Sequence, residues 1–195
     1  MPSLDSTFHE LRRRLKNLDR MNAAQTDPFY HFVHAADDTA RLMENIRRWK
    51  TALQNEDNWN VRVVSLAEVM WRTIDEAGRW DEWLELEGDE KPAAIYKAVA
   101  DTLATKVNLG QQGLGRAILD VVGDRTPNRL VLLTDASLLH PFFRVRWIEE
   151  LVHDRVFAPT VLFYPGTRTS EFGLRFLGFY KEDPNYRSSI VGGER

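Results

Sequence analysis

The 195-residue sequence contains no cysteine. That excludes disulfides, thiolate nucleophiles and zinc–thiolate centres, and it suits a reducing compartment. Positive charge is not in excess either. The chain carries 26 Lys and Arg against 29 Asp and Glu, a formal net charge of -3. A general nucleic-acid binder shows a basic surplus, so no direct nucleic-acid partner is expected. No apolar run reaches the ~18 residues that a bilayer span needs. The opening MPSLDSTFHELRRRL is amphipathic with early acids, unlike a signal or transit peptide. These absences describe a cytoplasmic protein with no membrane partner.

Several chemical signatures are missing too. There is no G-x-x-x-x-G-K-[ST] phosphate loop and no G-x-S-x-G nucleophile elbow. Asp37 and Asp38 follow the first expected strand, where a phosphate cradle needs glycines and no acids. Gly110, Gly113 and Gly115 miss the dinucleotide spacing. RLVLLTD, ending at Asp135, resembles the strand that holds magnesium in P-loop enzymes, but a helix cap is the favoured reading of that acid. His31 and His34 fall on opposite faces of a strand and cannot easily share an ion. Glu150 and His153 have the spacing of a di-iron pair but lack the second pair such bundles require. Ser137 and His140 lie close in sequence without an assignable acid or oxyanion hole. No catalytic residue, metal or cofactor is expected.

What is present is a globular composition, 43% apolar and 28% charged, enough for one domain over residues 1–195. Leu4, Phe8, Leu11, Leu15 and Leu18 form one helical stripe, with Arg12, Arg13 and Arg14 mostly off it. PFYHFVHA reads as a strand. The next helix starts near Asp37 and buries Leu42, Ile46, Trp49 and Leu53. VRVVSL is a second strand. Ser65 followed by Glu68 is a capping box that starts a helix with an inner stripe of Leu66, Val69, Met70, Thr73, Ile74 and Ala77. Residues 82–123 read as a helical insert, with Pro92 in a first turn and Asn108-Leu109-Gly110 as a C-cap. RLVLLTDAS is a buried strand, and HPFFRVRWIEELVHDRV a helix with Pro141 early in it. TVLFYPG, LRFLGFY and YRSSIV read as strands. Strands separated by helices predict a three-layer α/β fold with a mainly parallel sheet of about five or six strands.

The stretch VLFYPGTRTSEFGLRFLGFYKEDPNYR concentrates aromatics and arginines around one Pro-Gly pair. Pro165-Gly166 reads as a sharp turn after Tyr164. Leu174 to Tyr180 is apolar on both alternations, which predicts burial on both faces. Loops at the C-terminal ends of parallel strands border a ligand crevice, so Tyr164, Thr167 and Arg168 are candidates for partner or anion docking. Arg175 and Arg187 join them, because packing alone explains a guanidinium poorly. An exposed Trp80/Trp83 region and the N-terminal helix are further candidate docking surfaces.

LLTDASLLHPFFRV, VLFYPGTRTSEFGLRFLG and the closing NYR together resemble the BrxB family of bacterial BREX phage-defence systems. The resemblance spans nearly the whole chain and is strongest from Arg129 to Arg187. It departs at Asp135, where the family pattern expects a small residue such as Gly. It implies a small component of a system that methylates host DNA and blocks phage replication. It also implies a non-catalytic adaptor role, with a PglZ-like alkaline-phosphatase-fold protein and the large BREX ATPase as partners. The competing expectation is a degenerate α/β nucleotide- or anion-binding regulator using residues 164–169 and Asp135.

Overall fold

The computed structural model describes residues 3–18, 28–88, 92–103, 113–123, 125–152 and 155–193. Its centre is a six-stranded sheet. The strands are β1 (Phe29–His34), β2 (Asn60–Ser65), β3 (Arg129–Thr134), β4 (Thr160–Arg168), β5 (Leu174–Phe176) and β6 (Ser189–Gly192). The order is β2-β3-β4-β1-β6, with β5 attached to the end of β4. Every pairing is parallel except β4 with β5.

Among the described residues seven α-helices cover the sheet. On one face lie α1 (Leu4–Asn17) and α2 (Thr39–Asn55). Their stripes pack on Tyr30, Phe32, Val61, Leu130, Leu132, Val161 and Phe163. On the other face lie α3 (Leu66–Glu76), α4 (Trp80–Gly88), α5 (Pro92–Leu103), α6 (Gly113–Val122) and α7 (Arg146–Val152). Their core includes Phe29, Val33, Val131, Leu133, Leu162 and Tyr164. The period of two along each strand sends alternate residues to the two cores. This is the three-layer α/β fold expected from the pattern of elements.

Local signals act as anticipated in most elements. Ser65 accepts from the Glu68 N–H at the start of α3. Leu42, Ile46, Trp49 and Leu53 are all buried. Pro92 opens α5, where its missing N–H costs no helical bond. The expected cap at Asn108–Gly110 lies outside the described residues.

Three expectations are corrected. First, Tyr164-Pro165-Gly166 is no turn: β4 runs on to Arg168. Gly166 is needed for space. A Cβ there would collide with the Arg175 carbonyl oxygen and sit 2.8 Å from the Tyr164 ring. Pro165 donates no hydrogen bond, but its carbonyl accepts from the Leu177 N–H. Second, β5 stops at Phe176. Leu177 (φ 52°) and Gly178 (φ 77°) enter the left-handed region and turn the chain, so burial on both faces fails: Arg175 and Phe179 are exposed. Third, the helix expected from His140 begins only at Arg146. Ala136–Leu139 form a 3-10 turn, and Pro141 has no N–H to continue a ladder.

Candidate functional site

The stretch rich in aromatics and arginines folds around a buried polar and aromatic cluster beneath β1, β4 and β6. His31 is fully buried there. Its ring lies edge-on to Tyr186 (4.8 Å) and Tyr164 (5.5 Å), and its Nδ1 is 2.6 Å from the Ser188 hydroxyl. Among the described residues its Nε2 has no hydrogen-bond partner. Burial, assisted by the Arg146 charge, pushes the His31 pKa down to about 3, so the ring is neutral. Burial pushes the Tyr186 phenol up to about 12 and raises that of Tyr164 as well. The two hydroxyls influence each other electrostatically, but neither has a hydrogen-bond partner among the described residues.

The walls of this cluster come from α7. Glu149 is buried, and its Oε1 accepts from the backbone N–H groups of Arg187 (2.5 Å) and Ser188 (2.9 Å). The Arg146 guanidinium lies 4.5 Å over the Tyr186 ring. It donates to the Pro184 carbonyl at 3.2 Å and stands 3.7 Å from Glu149 Oε2. A carboxylate and a guanidinium on one helix thereby hold the Asn185-Tyr186-Arg187 segment from two sides. The cavity beside them has a volume of about 20 Å³, room for roughly one water molecule and no substrate.

The other sequence candidates are similarly engaged. Arg168 folds back on its own loop, donating to the carbonyls of Ser170 (3.1 Å) and Glu171 (2.9 Å). Thr167 stands opposite Arg175 in the β4–β5 register. Asp135 adopts the left-handed conformation (φ 60°, ψ 28°) and makes no side-chain cap; its carboxylate accepts from the Thr134 hydroxyl at 2.8 Å. The His140 ring hydrogen-bonds the Tyr180 hydroxyl. Glu150 pairs with Arg146, while His153 lies outside the described residues. No group of three or more His, Cys, Asp or Glu able to hold a metal occurs among the described residues.

The profile of the family described as BREX protein BrxB matches residues 62–191, which is 130 of the 195 residues. The chain belongs to the BrxB family. It is accordingly a component of a BREX phage-defence system. No curated protein and no solved structure was found to match it.

The BrxB motifs acquire a structural meaning at this cluster. Tyr164 packs against Phe176 at 5.4 Å and Tyr186 at 6.2 Å, joining the Tyr-Pro-Gly strand to the late Tyr-Arg. His140 joins the His-Pro-Phe element to Tyr180. Asp135 holds a left-handed backbone, which Gly adopts freely and Asp tolerates.

Two docking candidates are corrected by burial. Tyr164 is 0% exposed and Trp83 is 4% exposed, because each points into the core beneath the sheet. Trp80, Arg175 and Arg187 are exposed, and Thr167 and Arg168 are half-buried. These residues do not form one site. Trp80 belongs to α4, Arg175 and Arg168 to the β4–β5 hairpin, and Arg187 to the segment entering β6. Glu149 and Arg146 escaped sequence reading, since acids and bases on a helix usually face water. Trp71 was also missed, although it falls off the inner stripe of α3 and therefore had to face outward.

A separate cavity of about 670 Å³ opens at the opposite, N-terminal ends of the strands, between Asp57–Trp59 and Phe157–Pro159. Asp57 on its rim is bound by Arg12 (2.6 Å) and Lys16 (2.8 Å). Burial alone would raise its pKa, but the hydrogen bonds from those two bases lower it. No helix among the described residues is long and apolar enough to cross a membrane.

Proposed function

We propose that the protein is a non-catalytic adaptor within its BREX system, bridging the PglZ-like alkaline-phosphatase-fold protein and the large ATPase. One observation carries this reading. The residues that define the family motifs, Tyr164, His140, Tyr186 and the backbone of Arg187, are engaged in internal contacts with Phe176, Tyr180, His31 and Glu149. They build an internally bonded corner, and the cavity beside it holds only about 20 Å³. A corner of this kind supports a surface on which other proteins assemble, and standard interfaces bury about 1,600 Å² anchored by aromatic and arginine side chains.

Co-expression with the PglZ-like protein and the large ATPase, followed by size-exclusion chromatography, tests the proposal. Co-elution of all three is the expected result. Separate elution of each protein at micromolar concentration and low salt would remove the bridging role. The rival regulator reading needs a free anion ligand at residues 164–169, and the Arg168 guanidinium is already held by two carbonyls of its own loop. A thermal-shift screen with nucleotides, phosphate and magnesium discriminates further. A site filled at 100 times its Kd would stabilise the fold by about 2.7 kcal/mol, and the adaptor reading expects no such shift.

A further inference from the structure

On the outer face of α3 and α4, Trp71 is 54% exposed, Trp80 42% and Leu84 59%. The two indoles lie nearly parallel, tilted by 7° with centroids 6.5 Å apart. Trp80 is held in place by its indole N–H, which donates to Asp75 at 3.1 Å, and by edge contact with Trp83 at 5.4 Å. Leu84 follows Trp80 by one helical turn and so continues the same strip. Two tryptophans and a leucine presented together, and fixed rather than floppy, form an apolar strip of the kind that marks interaction sites. Trp83 lies buried beneath them.

Charge identifies the occupant. Residues 68–87 contain seven acids, Glu68, Asp75, Glu76, Asp81, Glu82, Glu85 and Glu87, against two bases, Arg72 and Arg79, a net of -5 where the whole chain carries -3. Arg79 is neutralised by Glu82 at 2.5 Å. Helix α4 itself holds no base. An acidic or neutral apolar segment would meet repulsion or bare acids here, whereas lysines and arginines would pair with the acids and lie over the indole faces.

We infer that the Trp71–Trp80–Leu84 face is the docking site for a basic amphipathic segment of a partner protein. This deepens the adaptor reading and rests on it for the existence of a partner. The apolar side chains of that segment cover the tryptophans and Leu84, and its cations pair with Asp81 and Glu85.

The test uses the full chain and a synthetic amphipathic peptide of leucine and lysine at helical spacing, with a leucine–glutamate peptide as control. Tryptophan fluorescence and calorimetry read the binding. The lysine peptide is expected to bind and the glutamate peptide not to. Affinity should fall by about tenfold or more in the double variant Trp80→Ala with Leu84→Ala, fall again in Glu85→Lys, and weaken as salt is raised. Circular dichroism confirms folding, and Glu85→Lys, a change at an exposed position, keeps the test decisive if the double variant unfolds. Absence of binding, or binding undiminished in the folded variants, overturns the inference. Either result stands whatever the co-expression shows, because separate elution of the subunits counts against the bridging role alone.

Discussion

His31 is a neutral imidazole in a place where its charged form is strongly disfavoured. Its folded pKa is about 3 and its ordinary value 6.5, so the unfolded chain binds the extra proton first as pH falls. Stability is therefore complete above pH 6.5 and declines as pH drops from 6.5 toward 3. One such group costs about 2 kcal/mol by pH 5, and His34, lowered chiefly by burial, acts in the same direction. Urea unfolding at pH 7.5 and pH 5.0 measures the loss, and equal midpoints would contradict the buried neutral imidazole. Glu149 is the second residue of consequence. Replacing it by Ala strands two backbone N–H groups, at Arg187 and Ser188. The expected destabilisation is about 2–3 kcal/mol, with a smaller loss for Glu149→Gln, which keeps a carbonyl acceptor. At Asp135 the backbone, not the carboxylate, sets the outcome. Asp135→Gly should leave stability within about 1 kcal/mol, whereas β-branched Asp135→Val should lower it by about 1–2 kcal/mol. Denaturant titration compares the variants.

At the scale of elements, the β4–β5 hairpin depends on an absent side chain. Gly166→Ala would drive a methyl group into the Arg175 carbonyl and the Tyr164 ring, an overpacking cost of about 1–3 kcal/mol that chemical denaturation would register. Most elements were legible in the sequence because their signals are periodic. The stripes of α1, α2 and α3 and the unbroken apolar run of β3 allow one reading each. The hairpin was not legible, because a Pro-Gly pair usually turns the chain, and only the arrival of Arg175 shows why this glycine stays extended. Nor was the end of β5, where Leu177, a residue with no preference for the left-handed region, adopts it beside Gly178. Trp80 and Trp83 look alike in sequence, but three residues of helix turn one to solvent and the other to the core. The candidate cluster was half legible. Its aromatics stood out, whereas the buried Glu149 looked like an ordinary first-turn acid of α7.

For the molecule as a whole, the sheet separates two cores, and α1 closes one of them. It is held by Phe8 stacked on Trp49 at 4.6 Å, by Asp5 with Arg48, and by Arg12 and Lys16 on Asp57. Arg14 also donates to the Ile190 carbonyl at 3.1 Å, occupying an acceptor on edge strand β6. Asp57→Ala should loosen α1 and cost about 1–3 kcal/mol, between an exposed and a buried ion pair. Hydrogen exchange should then accelerate in α1 and β6 before it does in β3. The position of β1 has a temporal consequence. Tyr30 aligns with Val161 on one side and Ser189 on the other, so β1, the first strand among the described residues, finds its neighbours 131 and 159 positions later. Until then FYHFVH, which is buried along its whole length once folded, remains an unmatched and aggregation-prone ribbon. Such long waits belong to slowly maturing chains, and production of this protein should benefit from cooler growth or added chaperone.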